Sequence, residues 1–413
     1  MAGVTVDNAN LTFISYLDGV VETLNQESKS RNLIKQNNDW TGTHIEFRIN
    51  SARNPALGYM EDGGAFPAAD KMDYQTAKVF RKFVGGSIQI TDGAMANASK
   101  GKNVVKSVVD SEVDGLMKGL LKVENGMFFR NGDGTVATVK TGTTGTTLLV
   151  DDARMLWDKG TFAVYNSTLA TNRGTLTVSK TASARTAAGY ATVTTTATVP
   201  SGTTDTDKLV WQGTNMPASS LNRAITGLDK LVDDAATTFQ NINVDTYPRY
   251  SSLVLDNSGT NRSLEPNLFR AMLAGIAQKS GSERPSQGLK VLCSTWQAIN
   301  VEELYEGEMR VTPDTKTVGM AVASFQTALG RVDIMTDPDA PYNKMFFIDP
   351  SKIYRGTQKK LHWRKEEGGG IFKRSDTAGV YTATALEIAD LYIKERTTSG
   401  KIEDLSETIS TSY

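Results

Sequence analysis

The chain has 413 residues and a formal net charge of −1, with 45 lysines and arginines against 46 aspartates and glutamates. This length exceeds the size at which a single core usually keeps growing, so we expect two or three domains. The balanced charge gives no basic field over the whole chain that would hold nucleic acid. No stretch approaches the roughly 18 to 20 apolar residues of a membrane span, and the N-terminus lacks a basic region followed by an apolar core. We therefore expect a soluble protein made in a cytoplasm.

The N-terminal region predicts an amphipathic helix over residues 11–28. Apolar residues recur there at steps of three and four, which places them on one stripe: Phe13, Ile14, Leu17, Val20, Val21 and Leu24. A helix so near the terminus has no close neighbour in sequence. Its stripe must dock on a distant part of the fold or on another subunit, and the sequence leaves both open.

Two alternating segments, residues 44–51 and 74–91, predict long β-strands, with a bulge at Gly85 and Gly86. Between them, residues 52–73 are rich in glycine and proline and have little to bury, which makes the connection far longer than usual. A loop of this kind is typical of a lid, a membrane tip or an arm laid over another subunit. A plain surface hairpin is the remaining interpretation.

Helical spacing is strongest over residues 102–130. One face carries an apolar seam, and the opposite face carries lysines and aspartates four residues apart. The seam consists of Val105, Val109, Val113, Leu116, Leu120 and Val123. Gly115 and Gly119 lie inside this helix and cost about 1 kcal/mol each in helix propensity. They predict a close packing partner or a bend at that point.

Residues 136–215 form a block in which 22 of 80 residues are threonine. Threonine alternates there with apolar residues between regularly spaced turns, which predicts a small β-barrel or sandwich inserted into another domain. The alternative is a Ser/Thr-rich disordered or glycosylated stalk. Phe162, Val164 and Trp211 favour the folded domain because a stalk lacks such a core.

After this block the helical period returns from Leu221 to Val232, over residues 264–279, and from a capping box at Ser294 and Gln297 to residue 306. Strands are predicted at residues 289–293, 332–335, 345–348, 371–374 and 381–394. The fold class is therefore predicted as α+β.

The chemistry-bearing residues form no convincing catalytic set. Residues 131–135 (NGDGT) resemble the start of a calcium loop but lack its later acidic ligands, and the pair Asp151 and Asp152 is typical of a solvated turn. A single cysteine, Cys293, excludes an intrachain disulfide, and with only His44 and His362 beside it a zinc site is not expected. We predict a structural protein that is not an enzyme, with no cofactor and no metal.

The order of parts resembles that of the major capsid proteins of tailed bacteriophages, whose fold is shared with encapsulins. Several local strings strengthen the resemblance over most of the chain: WTG at 40–42, RNP at 53–55, EDGGAFP at 61–67, RNGDG at 130–134, FQNINVDTYP at 239–248, residues 333–337 with Pro341, and LHW at 361–363 continuing to residue 371. The threonine-rich block departs from the minimal plan of this family, although some relatives carry an added β-domain there or nearby.

The resemblance implies an α+β capsid fold with six parts. These are an N-terminal arm (1–40), an extended β-ribbon loop (41–91), a peripheral domain with a long spine helix (92–135), the inserted threonine-rich β-domain (136–215), an axial domain (216–355), and a return to the peripheral domain with a C-terminal strand and tail (356–413).

The implied function is self-assembly through pentamers and hexamers into an icosahedral head that encloses phage double-stranded DNA without reading its sequence. Portal and scaffolding proteins are the expected partners, a decoration protein is possible, and no membrane is involved. The chain would be found in the virion and would assemble in the bacterial cytoplasm. Candidate inter-subunit contacts are Phe13, Leu17, Glu61, Asp62, Phe66 and Lys71, with Glu61 or Asp62 expected to meet a basic residue of another subunit.

Two other classes remain open from the sequence: an encapsulin-like compartment shell, and a trimeric phage adhesin or tail component. Some capsid relatives join subunits through a bond between lysine and asparagine. Lys71 lies in the loop, but no residue pattern identifies an asparagine partner, so no crosslink is predicted.

Overall fold

The computed structural model describes residues 29–92, 104–185, 190–213, 216, 218–281, 288–305, 324–327, 330–365, 372–374 and 379–406. The described part combines helices with five β-sheets, so the predicted α+β class is confirmed. By its contacts the chain divides into two compact units. The first contains Met1–Leu33, Lys82–Lys230 and Thr357–Ala389, and the second contains Ile34–Arg81, Leu231–Gly356 and Asp390–Tyr413.

The described α-helices are α1 (Lys29–Asn32), α2 (Val104–Phe128), α3 (Leu228–Leu231), α4 (Pro266–Ser280) and α5 (Thr295–Tyr305). The long helix predicted over residues 102–130 and the helix predicted over 264–279 are confirmed by α2 and α4. Helix α4 has proline at its first position and ends at Gly281, whose left-handed φ of 70° lets its N–H reach the Ala277 carbonyl.

The helix predicted from Leu221 to Val232 is wrong, because only the four residues of α3 are helical there. Asn222 has a positive φ of 57°, which an α-helix of L-residues does not accommodate. The capping box at Ser294 is half formed. The Gln297 N–H donates to Ser294 Oγ at 3.3 Å, but the Gln297 side chain donates to the carbonyls of Tyr342 and Ser406 instead of returning to residue 294.

The strands are β1 (Lys35–Asn37), β2 (His44–Ala52), β3 (Asp73–Phe80), β4 (Lys82–Thr91), β5 (Thr135–Thr138), β6 (Thr147–Val150), β7 (Thr161–Tyr165), β8 (Asn172–Arg185), β9 (Ala191–Thr195), β10 (Lys208–Trp211), β11 (Thr238–Phe239), β12 (Ile242–Asn243), β13 (Leu253–Leu255), β14 (Lys290–Cys293), β15 (Ser324–Thr327), β16 (Gly330–Thr336), β17 (Met345–Ile348), β18 (Ile353–Trp363), β19 (Lys373–Arg374), β20 (Val380–Ile393) and β21 (Gly400–Ile402).

In the first unit, helix α2 packs on a sheet in which β4 is antiparallel to β20. The pairing runs without interruption from Val380 opposite Thr91 to Ala389 opposite Lys82. The bulge predicted at Gly85 and Gly86 is therefore wrong. Gly86 instead allows β4 to pack closely on α2, because a Cβ at this position would lie 2.6 Å from Cδ1 of Leu116.

The threonine-rich block forms six antiparallel strands in the order β5-β10-β7-β8-β9-β6. The two outer strands also meet, since Lys140 donates to the Leu149 carbonyl at 2.8 Å and Asp151 donates to the Thr138 carbonyl at 3.0 Å. The sheet is thus closed into a small barrel filled by apolar side chains such as Phe162. Met127, from the last turn of α2, belongs to the same core, so barrel and helix are packed together.

The second unit contains a six-stranded mixed sheet in the order β13-β21-β17-β14-β16-β15. Helix α4 covers one face through Phe269, Met272 and Ile276, which share a core with Val291 and Phe347 of the sheet. The predicted strands at 289–293, 332–335 and 345–348 are confirmed by β14, β16 and β17.

A two-stranded ribbon, β2 with β3, belongs to the second unit. Its register runs from His44 opposite Phe80 to Ala52 opposite Asp73, with one irregularity after Asn50. The strand predicted over 74–91 is therefore two strands: it breaks at Arg81, and β3 pairs with β2 whereas β4 pairs with β20.

Candidate assembly surfaces

The base of the ribbon is fixed to the second unit by hydrogen bonds and an aromatic contact. The Lys78 N–H donates to the Gln240 carbonyl at 2.9 Å, and Gln75 Nε2 donates to the Tyr247 hydroxyl at 2.8 Å. Phe47 packs on Tyr392 with 5.6 Å between ring centroids. The ribbon therefore leaves the unit from a well-held base.

The tip of the ribbon, which we define as residues 53–72, is held by local contacts. Asn54 Nδ2 donates to the Asp70 carbonyl at 2.8 Å, and Gly64 donates to the Glu61 carbonyl at 2.9 Å in a tight turn. Gly63 has a φ of 74°, which this turn requires. Within the described residues, the hydrogen bonds of the tip join the segment to itself or to its own flanking strands.

Exposed apolar side chains are concentrated on this ribbon. Ten large apolar side chains are exposed in the described part of the chain, and seven of them lie on the ribbon or its tip: Leu57, Tyr59, Met60, Phe66, Met72, Tyr74 and Phe80. Leu57, Phe66 and Tyr59 are the most exposed of these. Exposed apolar side chains concentrated on one element in this way mark a contact with another molecule.

The structure places the predicted contact residues as follows. Glu61, Asp62 and Phe66 all lie exposed at the tip, where Phe66 is 83% exposed, and Lys71 lies exposed near its C-terminal end. Phe13 and Leu17 lie outside the described residues. The inter-subunit role of all six residues stays a prediction. Sequence reasoning missed Leu57 and Tyr59, although apolar residues between prolines and glycines in a long loop were a usable signal.

Three side chains of the first unit form a buried charge cluster. Arg31 on α1 contacts Glu124 on α2 at 2.6 Å and Glu387 on β20 at 3.9 Å. Both carboxyls are almost fully buried. Burial, followed by the adjacent Glu387, raises the pKa of Glu124 well above its usual value, although Arg31 opposes the shift. Burial therefore favours the protonated form of Glu124 beside the Arg31 guanidinium.

Glu124→Gln is expected to flatten part of the pH dependence of stability. Because the pKa of Glu124 is raised in the folded chain, its favourable contribution is complete below the ordinary pKa of 4.5 and is lost as pH rises through the raised value. Glutamine mimics the protonated acid, so the variant should gain stability relative to the wild type as pH rises. Urea midpoints between pH 4 and 8 measure this, with the exposed Asp205→Asn as control. Parallel pH profiles for wild type and Glu124→Gln would show that the pKa of Glu124 is not raised in the folded chain.

The acidic residues considered as cation ligands have structural partners. Asp152 accepts from Arg130 and Arg154, each at 2.7 Å. Although burial opposes it, Arg130 and Arg154 lower the pKa of Asp152, so this side chain ties the barrel to the end of α2 as a carboxylate. Asp133 accepts the Thr135 N–H at 2.8 Å, which makes residues 131–135 a turn. Among the described residues no cluster of three or more potential metal ligands occurs.

Cys293 is buried in the core of the second unit, where desolvation raises the pKa of its thiol to about 12. A thiol in this state is a poor nucleophile. In the part of the chain that is described, no helix is long and apolar enough to cross a membrane.

Comparison with solved structures defines the class of fold. The chain is 14% identical to a chain of the capsid asymmetric unit of cyanophage A-1(L), with a TM-score of 0.52 over 91% of this chain and 90% of that one. It also matches the capsid of Myoviridae phage XM1, with 9% identity, a TM-score of 0.47 and 92% coverage of both chains. The fold is that of phage capsid proteins. Among curated proteins, no match to the chain reaches significance.

The model of the SU10 major capsid protein family matches residues 164–389, more than half of the chain. The chain therefore belongs to the SU10 major capsid protein family. Its role is structural: repeated copies form a capsid shell, and the chain is a component of the virion. The predicted resemblance, fold class and capsid-forming function are confirmed.

Proposed function

We propose that copies of this chain assemble through pentamers and hexamers into an icosahedral head that encloses phage double-stranded DNA. The concentration of exposed apolar side chains on the ribbon supports this most directly. The ribbon would act as an arm that lies over the neighbouring subunit. Burying one side chain such as Leu57 or Phe66 contributes about 1.5 to 3 kcal/mol. Contacts of that size, repeated over a lattice, give a stable shell that can still correct errors during assembly.

We infer the remaining parts of the subunit from the domain plan of phage major capsid proteins. Residues 1–40 would be the N-terminal arm, 41–91 the extended loop, 92–135 and 356–413 the peripheral domain, and 216–355 the axial domain. The barrel within residues 136–215 would be an added domain of the shell subunit. The near-zero net charge supports close packing of copies because mutual repulsion is weak.

Portal and scaffolding proteins are the proposed partners, together with a decoration protein on the finished shell. Assembly would take place in the bacterial cytoplasm, and the DNA would be held without base-specific contacts. The chain would have no enzymatic activity, which the structural role of its family supports.

Electron microscopy of the expressed chain tests the proposal. Closed icosahedral shells are the expected result. Soluble trimers would overturn it and would favour a tail component or adhesin instead.

Removing two apolar side chains from the tip is expected to impair assembly without unfolding the subunit. The double variant Tyr59→Ala with Phe66→Ala should need at least about a tenfold higher concentration to form shells. Each substitution removes more than about 1.4 kcal/mol of apolar burial from the contact between subunits, and about 1.4 kcal/mol corresponds to a factor of ten. The control is Met216→Ala, an exposed apolar side chain outside the ribbon. Light scattering measures the threshold, and an unchanged threshold for the tip variant would exclude the tip as a contact.

A further inference from the structure

The sulfur of Met72 lies at the point where the strands of the ribbon end and the tip begins. Asn50 Nδ2 donates to this sulfur at 3.6 Å, and the Tyr74 hydroxyl donates to it at 3.4 Å. Asn50 and Tyr74 are direct partners across β2 and β3, so the two donors come from different strands. A thioether sulfur is only a weak acceptor. Two donors therefore converge on an atom that can bond to them only weakly.

Met72 is also accessible to small reagents. Its side chain is 43% exposed, and that of Met60, in the same tip, is 48% exposed. The sulfur of Met60 has no hydrogen-bond donor among the described residues. Met117, Met155 and Met272, by contrast, are almost fully buried. The tip thus has two thioethers that a reagent in solution can reach, and they differ in the groups around the sulfur.

A thioether reacts with hydrogen peroxide by transfer of one oxygen atom. A lone pair of the sulfur attacks one oxygen of the peroxide, and the S–O bond forms as the O–O bond breaks. The other oxygen leaves with both protons as water, so the sulfur is oxidised and the peroxide is reduced. The product, methionine sulfoxide, is polar, and its oxygen is a better acceptor than the thioether sulfur.

An oxygen added to the Met72 sulfur would meet donors that are already in place. N–H and O–H donors approach oxygen acceptors at about 2.7 to 3.0 Å. Because the donors of Asn50 and Tyr74 lie 3.6 and 3.4 Å from the sulfur, an oxygen bonded on their side comes within hydrogen-bonding range of both. The sulfoxide would then tie β2 to β3 beside the irregularity after Asn50, where the strand pairing shifts.

We propose that Met72 is an oxidation site of the unassembled chain, at which a peroxide transfers one oxygen to the sulfur and the sulfoxide is held by Asn50 and Tyr74. The held sulfoxide stiffens the neck of the ribbon, which we define as residues 50–52 and 72–74. Oxidation of Met60 adds the same polar group but makes no link between strands. The modification needs only the free chain, so it does not depend on assembly into shells.

Peroxide treatment of the purified chain tests this site. Mass spectrometry of its peptides should show one added oxygen on Met60 and one on Met72. Amide hydrogen exchange in the neck should then be at least about threefold slower than in the untreated chain, because the sulfoxide joins the two strands. Met72→Leu should abolish this effect of peroxide, whereas the matched control Met60→Leu should leave it intact.

Removal of the donors distinguishes a held sulfoxide from one that is merely present. Asn50→Ala with Tyr74→Phe leaves Met72 oxidisable, and peroxide should no longer slow exchange in the neck of this variant. Met72→Gln places an amide oxygen at the same position and should slow exchange without peroxide. An unmodified Met72 beside an oxidised Met60 would overturn the site. Exchange in the neck that is unchanged or faster after oxidation of the wild type, or equally slowed without the donors, would overturn the link between strands.

Discussion

Gly227→Ala is expected to destabilise the chain by about 3 kcal/mol or more. A Cβ at this position would lie 2.1 Å from the Arg130 carbonyl oxygen and 2.4 Å from the Met127 carbonyl oxygen. Both atoms belong to the backbone at the C-terminal end of α2, so no side-chain rotation relieves the overlap. The end of the helix cannot move freely either, because Arg130 is bound to buried Asp152 at 2.7 Å.

The same substitution at Gly119 is the matched control. Gly119 lies inside α2, and nothing lies within 4 Å of its ideal Cβ. Alanine there should stabilise the helix by up to about 1 kcal/mol, because it restricts the unfolded chain and favours helical backbone. Urea unfolding of the purified variants compares the two. Equal midpoints for Gly227→Ala and the wild type would disprove the close approach between residue 227 and the helix end.

The sequence predicted elements whose pattern is local. Helix α4 was found because its apolar period and its proline and glycine boundaries all lie within residues 264–281, and β14 was found because it is a short buried run. Strand pairing is not local, however. Residues 74–91 alternate almost continuously, yet their two halves pair with β2 and with β20, and no residue at the break announces the change of partner. Strand β18 was missed because its first half is largely buried and its second half contains adjacent lysines, so alternation is lost.

The candidate contact residues also differ in whether a local sequence pattern could reveal them. Glu61, Asp62 and Phe66 could be selected as exposed contact candidates because the composition of their loop gives them little to bury. The sheet that packs under α2 could not be found in this way, since β4 lies far in sequence from β18, β19 and β20. Buried charges such as Arg396 were equally hidden, because a charged residue beside a strand resembles a solvated one until its neighbours are known.

Arg396→Ala is expected to cost about 4 kcal/mol in the second unit. Arg396 is 2% exposed, and it donates to the Leu231 carbonyl at 2.9 Å and to the Tyr250 carbonyl at 3.2 Å. Its guanidinium lies 4.3 Å from the ring centroid of Phe239. Alanine would leave a cavity and two buried carbonyls without these donors, each worth about 1 to 3 kcal/mol.

The destabilisation caused by Arg396→Ala should extend to the base of the ribbon. Tyr250 donates its hydroxyl to the Gln240 side chain at 2.5 Å, and the Gln240 carbonyl accepts the Lys78 N–H of β3. Arg396 therefore supports the residues that hold the ribbon, and hydrogen exchange in residues 73–80 should accelerate in Arg396→Ala. Urea unfolding gives the stability change and mass spectrometry gives the exchange.

Arg396→Lys distinguishes the contribution of the positive charge to stability from that of the planar guanidinium. Burial lowers the pKa of Arg396 to about 10, so the native side chain is still charged at neutral pH. Lysine keeps that charge but cannot present the planar fork or stack in the same way on Phe239, so at least half of the destabilisation should remain. Arg249→Ala, an exposed arginine next to Tyr250, should change stability by less than about 0.5 kcal/mol. If Arg396→Lys were as stable as the wild type, charge alone would account for the site, and the paired carbonyls and the aromatic contact would contribute nothing measurable.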